Sequence, residues 1–174
     1  MTSGFSSNEL LKSLSTYPVI KGDLPGHEFH GNQYEAGVSG SAKAVTTRGE
    51  KMFHTDANGP ARNTWGGNTT KDFADMVSAH QQLATDHDNA SKRIEAGMKS
   101  GKIPMSKWGV ARKAIEAHQT AAEAHLDASK MWQKSNELGY SGREQGVPTT
   151  AFGAYTMSEK AGRLTDQAEA LSKF

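Results

Sequence analysis

Histidines with a regular spacing are the residues of this chain that could carry chemistry. Imidazole ligates transition metals, transfers protons and changes its charge near neutral pH. Four of the seven histidines follow residue 70 and fall at two intervals of seven: His80, His87, His118 and His125. Residues seven apart share one face of an α-helix, because seven residues make nearly two turns. We therefore expect two helices that each present two histidines on one side.

Two long amphipathic helices are expected to position these histidines. Apolar residues recur at steps of three and four over residues 73–98 and again over residues 108–132, which is the period of an α-helix. All four histidines fall on the apolar stripes. Gly101 suits the position just after the first helix, and Pro104 prevents that helix from continuing. A short turn between two long helices makes them antiparallel neighbours.

The turn also predicts which histidines face each other. Facing residues in an antiparallel hairpin have a constant sum of residue numbers, and a turn centred near residue 102 gives a sum of about 205. His80 with His125, and His87 with His118, both have this sum. We therefore predict two cross-helix histidine pairs, about 10 Å apart along the helix axis.

Three interpretations of these pairs are open. A metal site in a helical bundle normally adds carboxylates at the third or fourth position on the same faces. None of those neighbours is acidic: Met76, Val77, Leu83, Ala84, Ala90, Ser91, Ala121, Ala122, Ala128 and Ser129. Two imidazoles alone do not complete a tetrahedral site, so we expect no metal. We favour half-buried, neutral histidines that hydrogen-bond each other. The third interpretation is a pH switch, in which protonation drives the helices apart.

A third helix is expected near the C-terminus. The stretch from Tyr140 to Gly153 is rich in glycine and predicts a loop. Thr156 and Glu159 then have the spacing of a capping box, which marks a helix start. Apolar residues at helical spacing predict the inward face of this helix: Met157, Ala161, Leu164, Ala168 and Leu171. The helix would cover one groove of the hairpin.

Residues 1–70 differ from the helical part in composition. They are rich in Gly, Ser, Thr and Asn, which predicts an extended arm with short helices at residues 7–15 and around Ser41–Phe53. Trp65 lies among glycines, where a tryptophan buries its surface only by docking on something. The predicted fold is all-α: a long antiparallel helical hairpin plus a third C-terminal helix over residues 71–174, preceded by an extended Gly/Ser-rich N-terminal arm over residues 1–70.

Residues 26–34 have the sequence Gly-His-Glu-Phe-His-Gly-Asn-Gln-Tyr. The spacing of His27 and His30, with Glu28 between them, could suggest metal chemistry, and His54 and Asp56 could join them. The metalloprotease pattern, however, needs two histidines four apart on a helix. The glycines and the proline here oppose a helix, so this metal interpretation is not favoured.

We favour an ordered turn for this segment. In that arrangement Phe29 and Tyr34 dock on the helical body. The side chains of Asn32 and Gln33 would satisfy exposed backbone groups. These four residues, together with Trp65, are the candidate interaction residues of the chain.

The same segment resembles a short motif of tailed-bacteriophage structural proteins. The pattern Gly-His-x-Phe-x-Gly-Asn-Gln-Tyr, followed closely by Gly37, is similar to sequences of minor head and head-morphogenesis polypeptides, where it lies at a junction between domains. The resemblance covers residues 22–40. It implies a non-enzymatic virion structural protein (minor head, cement or connector-associated), assembled in the host cytoplasm and retained in the virion. Its partners would be other virion proteins, in multiple copies.

The amino-acid composition excludes several functional classes of protein. The absence of cysteine excludes disulfides and thiolate catalysis, and we expect no cofactor. A net charge of +1 argues against nucleic acid as a specific partner. No apolar run approaches the roughly 20 residues of a membrane span, so no membrane partner is expected. Two alternatives come from other classes: a small enzyme that uses a histidine-bound metal, and a phage protein that binds and regulates a host protein.

Overall fold

Residues 34–58, 70–140 and 147–174 are the part of the chain that the computed structural model describes. Within these ranges four α-helices follow one another, and no strand occurs. The helices are α1 (Ser39–Asn58), α2 (Thr70–Lys99), α3 (Trp108–Tyr140) and α4 (Val147–Leu171), with a 3-10 turn at Met105–Lys107. The all-α fold class is confirmed.

Helices α2 and α3 form the hairpin, and α4 packs along it, in extensive contact with α3. The turn between α2 and α3 has a defined structure. Gly101 has a positive φ of 74°, which glycine adopts without strain. The backbone N–H of Ile103 then donates to the carbonyl of Gly97 at 3.0 Å, and the indole of Trp108 donates to the carbonyl of Ile103 at 3.2 Å.

Helix α4 begins at Val147, inside the stretch that was predicted as a loop. Pro148 is compatible with this start, because proline is tolerated in the first turn of a helix, where its missing N–H needs no partner. Thr156 lies inside α4 and donates to the carbonyl of Phe152 at 2.9 Å. The capping box predicted at Thr156 is therefore wrong.

The inward face of α4 agrees with the prediction at Ala161 and Ala168, which are fully buried, and differs from it at the larger residues. Met157 was expected in the core but is 37% exposed, and Leu164 and Leu171 are only half-buried. The residues one position further along, Ser158, Thr165 and Ser172, are fully buried instead. The reason lies in the hairpin, because its buried imidazoles need hydrogen-bond partners that leucine cannot supply.

The helix expected around Ser41–Phe53 spans Ser39–Asn58 and packs mainly on α4, and also on α2. A Cβ at Gly49 would lie 3.0 Å from the indole ring of Trp132, so glycine leaves room for this side chain of α3. Thr46 donates to the carbonyl of Ser158 at 3.2 Å. The extended conformation predicted for residues 1–70 therefore does not hold for residues 34–58. The helix predicted at residues 7–15 lies outside the described residues.

Apolar clusters close the two ends of the bundle. At the hairpin turn, Tyr34 packs with Ile94 and Ile103. At the opposite end, Phe73 and Trp132 pack with their rings 6.0 Å apart. The four histidines lie between these clusters.

Candidate functional site

The buried histidines form two pairs across the hairpin. Nδ1 of His80 lies 2.9 Å from Nδ1 of His125, and Nδ1 of His87 lies 2.8 Å from Nδ1 of His118. These are hydrogen-bond distances. The pairing is the one that the sum of residue numbers predicts. Within each pair the ring centroids are 5.1 Å apart.

Hydroxyl groups of the C-terminal segment occupy the other ring nitrogens. Nε2 of His80 lies 2.8 Å from Oγ of Ser158, and Nε2 of His118 lies 2.8 Å from Oγ of Ser172. Thr165 serves both pairs, because its Oγ1 lies 2.9 Å from Nε2 of His87 and 2.9 Å from Nε2 of His125.

We call the four histidines and these three hydroxyl residues the histidine seam. Its end at Ser158 is extended by Trp132, whose indole N–H donates to the Ser158 hydroxyl at 2.9 Å. Both serines also approach the carbonyl of the residue four positions earlier: Ser158 that of Ala154 and Ser172 that of Ala168, each at 2.9 Å. All members of the seam are buried, so the prediction that the histidines are only half-buried is wrong.

Sequence reasoning missed the three hydroxyl residues, although a signal for them exists. Ser158, Thr165 and Ser172 are seven residues apart, which is the spacing of the histidines within each helix of the hairpin. A polar heptad on a third helix matches a polar heptad on the hairpin when the helices run side by side. Because leucines flank these hydroxyls on α4, the apolar pattern placed the centre of the inward face one position away from them.

Burial determines the charge state of the seam. The pKa of His80 is lowered from 6.5 to about 4 by desolvation, and that of His125 to about 3 by desolvation and by His80. The pKa of His87 is lowered to about 3 by desolvation and by the neighbouring histidines. For His118 the value is about 4: desolvation and Arg93 lower it, and a hydrogen bond to the Tyr34 backbone opposes them. The four imidazoles are therefore neutral at pH 7.

The seam is poorly suited to hold a metal ion. All ring nitrogens of the four histidines already have a partner at 2.8–2.9 Å. A ligand must offer a free lone pair to the metal, so binding would break this network. The described ranges contain no group of three or more His, Asp or Glu side chains placed to hold a metal ion.

A buried carboxylate lies beside the N-terminus of α1. Oε1 of Glu169 accepts the backbone N–H of Val38 at 3.1 Å, and Oε2 has no hydrogen-bond partner among the described residues. Burial raises the pKa of Glu169, the N–H of Val38 lowers it, and the nearby Glu35 raises it. Arg93 donates to the carbonyl of Glu35 at 2.7 Å. Glu169 and Arg93 thus fix residues 35–38 to the bundle.

Tyr34 is the one candidate interaction residue that lies in the described part of the chain. Its ring is buried and stacks on Phe174 with centroids 5.4 Å apart. A Cβ at Gly97 would lie 3.0 Å from the Tyr34 ring, so glycine leaves room for it. Tyr34 therefore docks on the helical body, as the sequence predicts. Phe29, Asn32, Gln33 and Trp65 lie outside the described residues, as do His27 and His30.

The hairpin tip next to Tyr34 is basic and partly apolar. No acidic residue occurs in residues 99–113, which contain five cations: Lys99, Lys102, Lys107, Arg112 and Lys113. Met105 is 77% exposed at the apex, and Val110 is also exposed. The guanidinium of Arg112 lies over the Trp108 ring at 5.9 Å. We call residues 99–113 the hairpin tip.

Comparison of the chain with protein-family models, with curated proteins and with solved structures finds no match. In the described ranges, no helix combines the length and the hydrophobicity that a membrane span requires. The function of the chain must therefore be argued from its own residues.

Proposed function

We propose that this chain is a non-enzymatic structural protein of a tailed-bacteriophage virion, and that it docks on other virion subunits through its N-terminal segment and the hairpin tip. The observation that carries the proposal is the position of Tyr34. This residue ends the segment that resembles the phage motif, and it is embedded beside the turn of the hairpin. Tyr34 and the hairpin tip therefore lie at the same end of the molecule.

The hairpin tip has the features of a contact surface. Its backbone is fixed by hydrogen bonds at Gly97 and Ile103, so little conformational entropy is lost on binding. An exposed apolar side chain, Met105, lies among cations, which resembles the apolar centre and charged rim of protein interfaces. The complementary partner surface is acidic with an apolar recess.

The saturation of the histidine seam supports the non-enzymatic part of the proposal. A general base needs a nitrogen within reach of substrate, but the seam histidines are buried and hydrogen-bonded to one another and to α4. Elemental analysis of the purified protein checks this point. A stoichiometric transition metal that survives dialysis would instead favour the metal-dependent enzyme.

Mass spectrometry of purified particles from a phage that encodes this chain tests the proposal directly. We expect its peptides at a stoichiometry of several copies per particle. If the chain is abundant in infected cells but absent from particles, the virion role is wrong, and regulation of a host protein becomes the better explanation.

Substitution at the hairpin tip tests the contact surface. Met105→Glu should reduce incorporation into particles at least tenfold and leave the helical circular dichroism unchanged, because the side chain is exposed. Met157→Glu is the matched control, since Met157 is also exposed but lies on α4, and it should be incorporated normally. Normal incorporation of both variants would mean that the hairpin tip is not part of the docking surface.

A further inference from the structure

The histidine seam is one unbroken chain of hydrogen bonds. Six consecutive contacts of 2.8–2.9 Å join its members in a fixed order. The order is Ser158, His80, His125, Thr165, His87, His118, Ser172. Ser158 and Ser172 are 14 positions apart in the sequence, so the chain runs about 21 Å along the bundle.

Neutral imidazoles give this chain a direction. Each neutral ring has one N–H and one lone pair on its two nitrogens. A ring that donates at Nδ1 must therefore accept at Nε2, and the reverse. At the Nδ1–Nδ1 contact of His80 and His125, one ring donates and the other accepts. The consecutive hydrogen bonds of one histidine pair are therefore all donated in the same direction, either toward Thr165 or away from it.

Thr165 connects the directions of the two pairs. Its hydroxyl has a single proton, so it cannot donate to both His87 and His125. It could accept from both, but its own proton would then have no acceptor, since in the described ranges its Oγ1 has no other hydrogen-bond partner. A buried hydroxyl without an acceptor is unfavourable. In the remaining arrangements Thr165 accepts from one pair and donates to the other.

We propose that Thr165 couples the two histidine pairs into a tautomeric relay, in which all donors point in one direction from Ser158 to Ser172 or in the reverse direction. Both histidines of α2 then have their proton on the same ring atom, and both histidines of α3 have it on the other. A change of direction at one end of the bundle reverses the tautomers at the other end. The relay is a property of the helical body and does not depend on the proposed function.

Imidazole nitrogen-15 spectroscopy of the uniformly labelled full-length protein at pH 8 tests the relay. Two-bond proton–nitrogen correlations distinguish the protonated nitrogen of each ring from the unprotonated one. His80 and His87 should show the same tautomer, and His118 and His125 the opposite one. The mirror arrangement, with all four tautomers exchanged, also supports the coupling. Different tautomers for His80 and His87 would overturn it.

The variant Thr165→Val provides the second measurement. Valine keeps the shape but offers no hydrogen-bonding group, so Nε2 of His87 and of His125 should both become unprotonated, because a buried N–H without an acceptor is avoided. His87 and His125 then both have the proton on Nδ1. In the native relay only one of these two rings has its proton on Nδ1, so both rings of one pair must change tautomer while the other pair stays as it was.

Thr165→Ser is the matched control, because it keeps the hydroxyl and should keep the native tautomers. If Thr165→Val leaves all four tautomers as in the native protein, the pairs are independent and the relay is wrong. If the valine variant does not fold, the tautomers of His80 and His87 in the native protein still test the relay.

Discussion

Two buried polar sites of this molecule satisfy their hydrogen bonds to different degrees. In the histidine seam, all ring nitrogens of the four histidines have partners, and the rings are neutral at pH 7. Glu169, one helical turn away from Thr165, has a partner for Oε1 but none for Oε2 among the residues that the structure describes. The seam joins α2, α3 and α4 along their length, whereas Glu169 joins α4 to residues 35–38. The seam is thus suited to set the register of the bundle, and Glu169 to hold one segment against it.

The two sites also respond to pH in opposite directions. Burial favours the neutral form of any ionisable group, so it lowers the pKa of the histidines and raises that of Glu169. A buried base stabilises the fold at high pH relative to low pH, and a buried acid does the reverse. Four histidines oppose one carboxylate, so the seam should dominate the pH dependence of the whole molecule.

The largest expected effect is acid unfolding through the seam. The folded pKa values of about 3 to 4 lie below the ordinary value of 6.5. Below pH 6.5 the unfolded chain therefore binds more protons, and stability falls as the pH falls toward the folded values. At pH 5 the loss is about 2 kcal/mol per histidine and about 8 kcal/mol for four, similar to the total stability of a small domain.

Thermal unfolding followed by circular dichroism between pH 8 and pH 4 measures this loss. The melting temperature should be constant above about pH 7 and fall steeply below pH 6. A melting temperature that stays constant down to pH 5 would mean that the histidines are accessible to protons in the folded protein. The predicted difference in pH response between the seam and Glu169 would then be wrong for the seam.

The next effect concerns how the members of a pair depend on each other. His125→Leu should cost about 3 kcal/mol at pH 8, because it leaves Nδ1 of His80 and one contact of Thr165 without partners. Adding His80→Leu removes the orphaned nitrogen, and Ser158 keeps Trp132 and Ala154 as partners.

Urea unfolding of the two single variants and of the double variant measures this dependence. The double variant should lose less stability than the sum of the single variants, and its acid sensitivity should be about half that of the native protein. Additive losses would mean that the His80–His125 contact contributes nothing specific to the fold.

A smaller effect, of opposite sign, is expected at Glu169. Because the pKa of Glu169 is raised from 4.5, the folded state holds its proton more tightly than the unfolded state, and stability is lost as the pH rises above the ordinary value. Glu169→Gln removes the titration and keeps an oxygen for the N–H of Val38. Between pH 5 and pH 8 the variant should therefore gain stability relative to the native protein.

Asp166→Asn is the control for this measurement, because Asp166 lies on the same helix and is exposed. Urea unfolding at the two pH values should show no relative gain for it. A Glu169→Gln variant that behaves like this control would mean that the carboxylate is solvated, and the contrast between the two buried sites would disappear.

Sequence reasoning could establish the register of the seam but not its third component. The antiparallel rule needs only a turn position, and Gly101 with Pro104 supplied one, so the histidine pairs followed directly. The orientation of α4 depends on hydrogen-bond demand inside the hairpin, which an apolar pattern on α4 alone does not contain. Glu169 was not singled out either, because its partner Val38 is 131 positions away in the chain, and only packing brings the two together.

The smallest expected effect tests whether residues 35–38 can open without the seam. Arg93 holds this segment through the carbonyl of Glu35 at 2.7 Å, and a hydrogen bond from a charged donor contributes about 1.5–3 kcal/mol. Arg93→Gln should therefore speed hydrogen exchange of the Val38 amide at least fivefold, because a weaker contact makes local opening of residues 35–38 more frequent. Amides of α2 and α3 beside the seam should keep their native exchange rates.

Arg163→Gln is the control, because it removes an exposed ion pair with Glu159 on α4. It should change the exchange rates of neither group of amides. Equal acceleration of all amides by Arg93→Gln would show that the segment and the seam open together, and that the two buried sites form one cooperative unit.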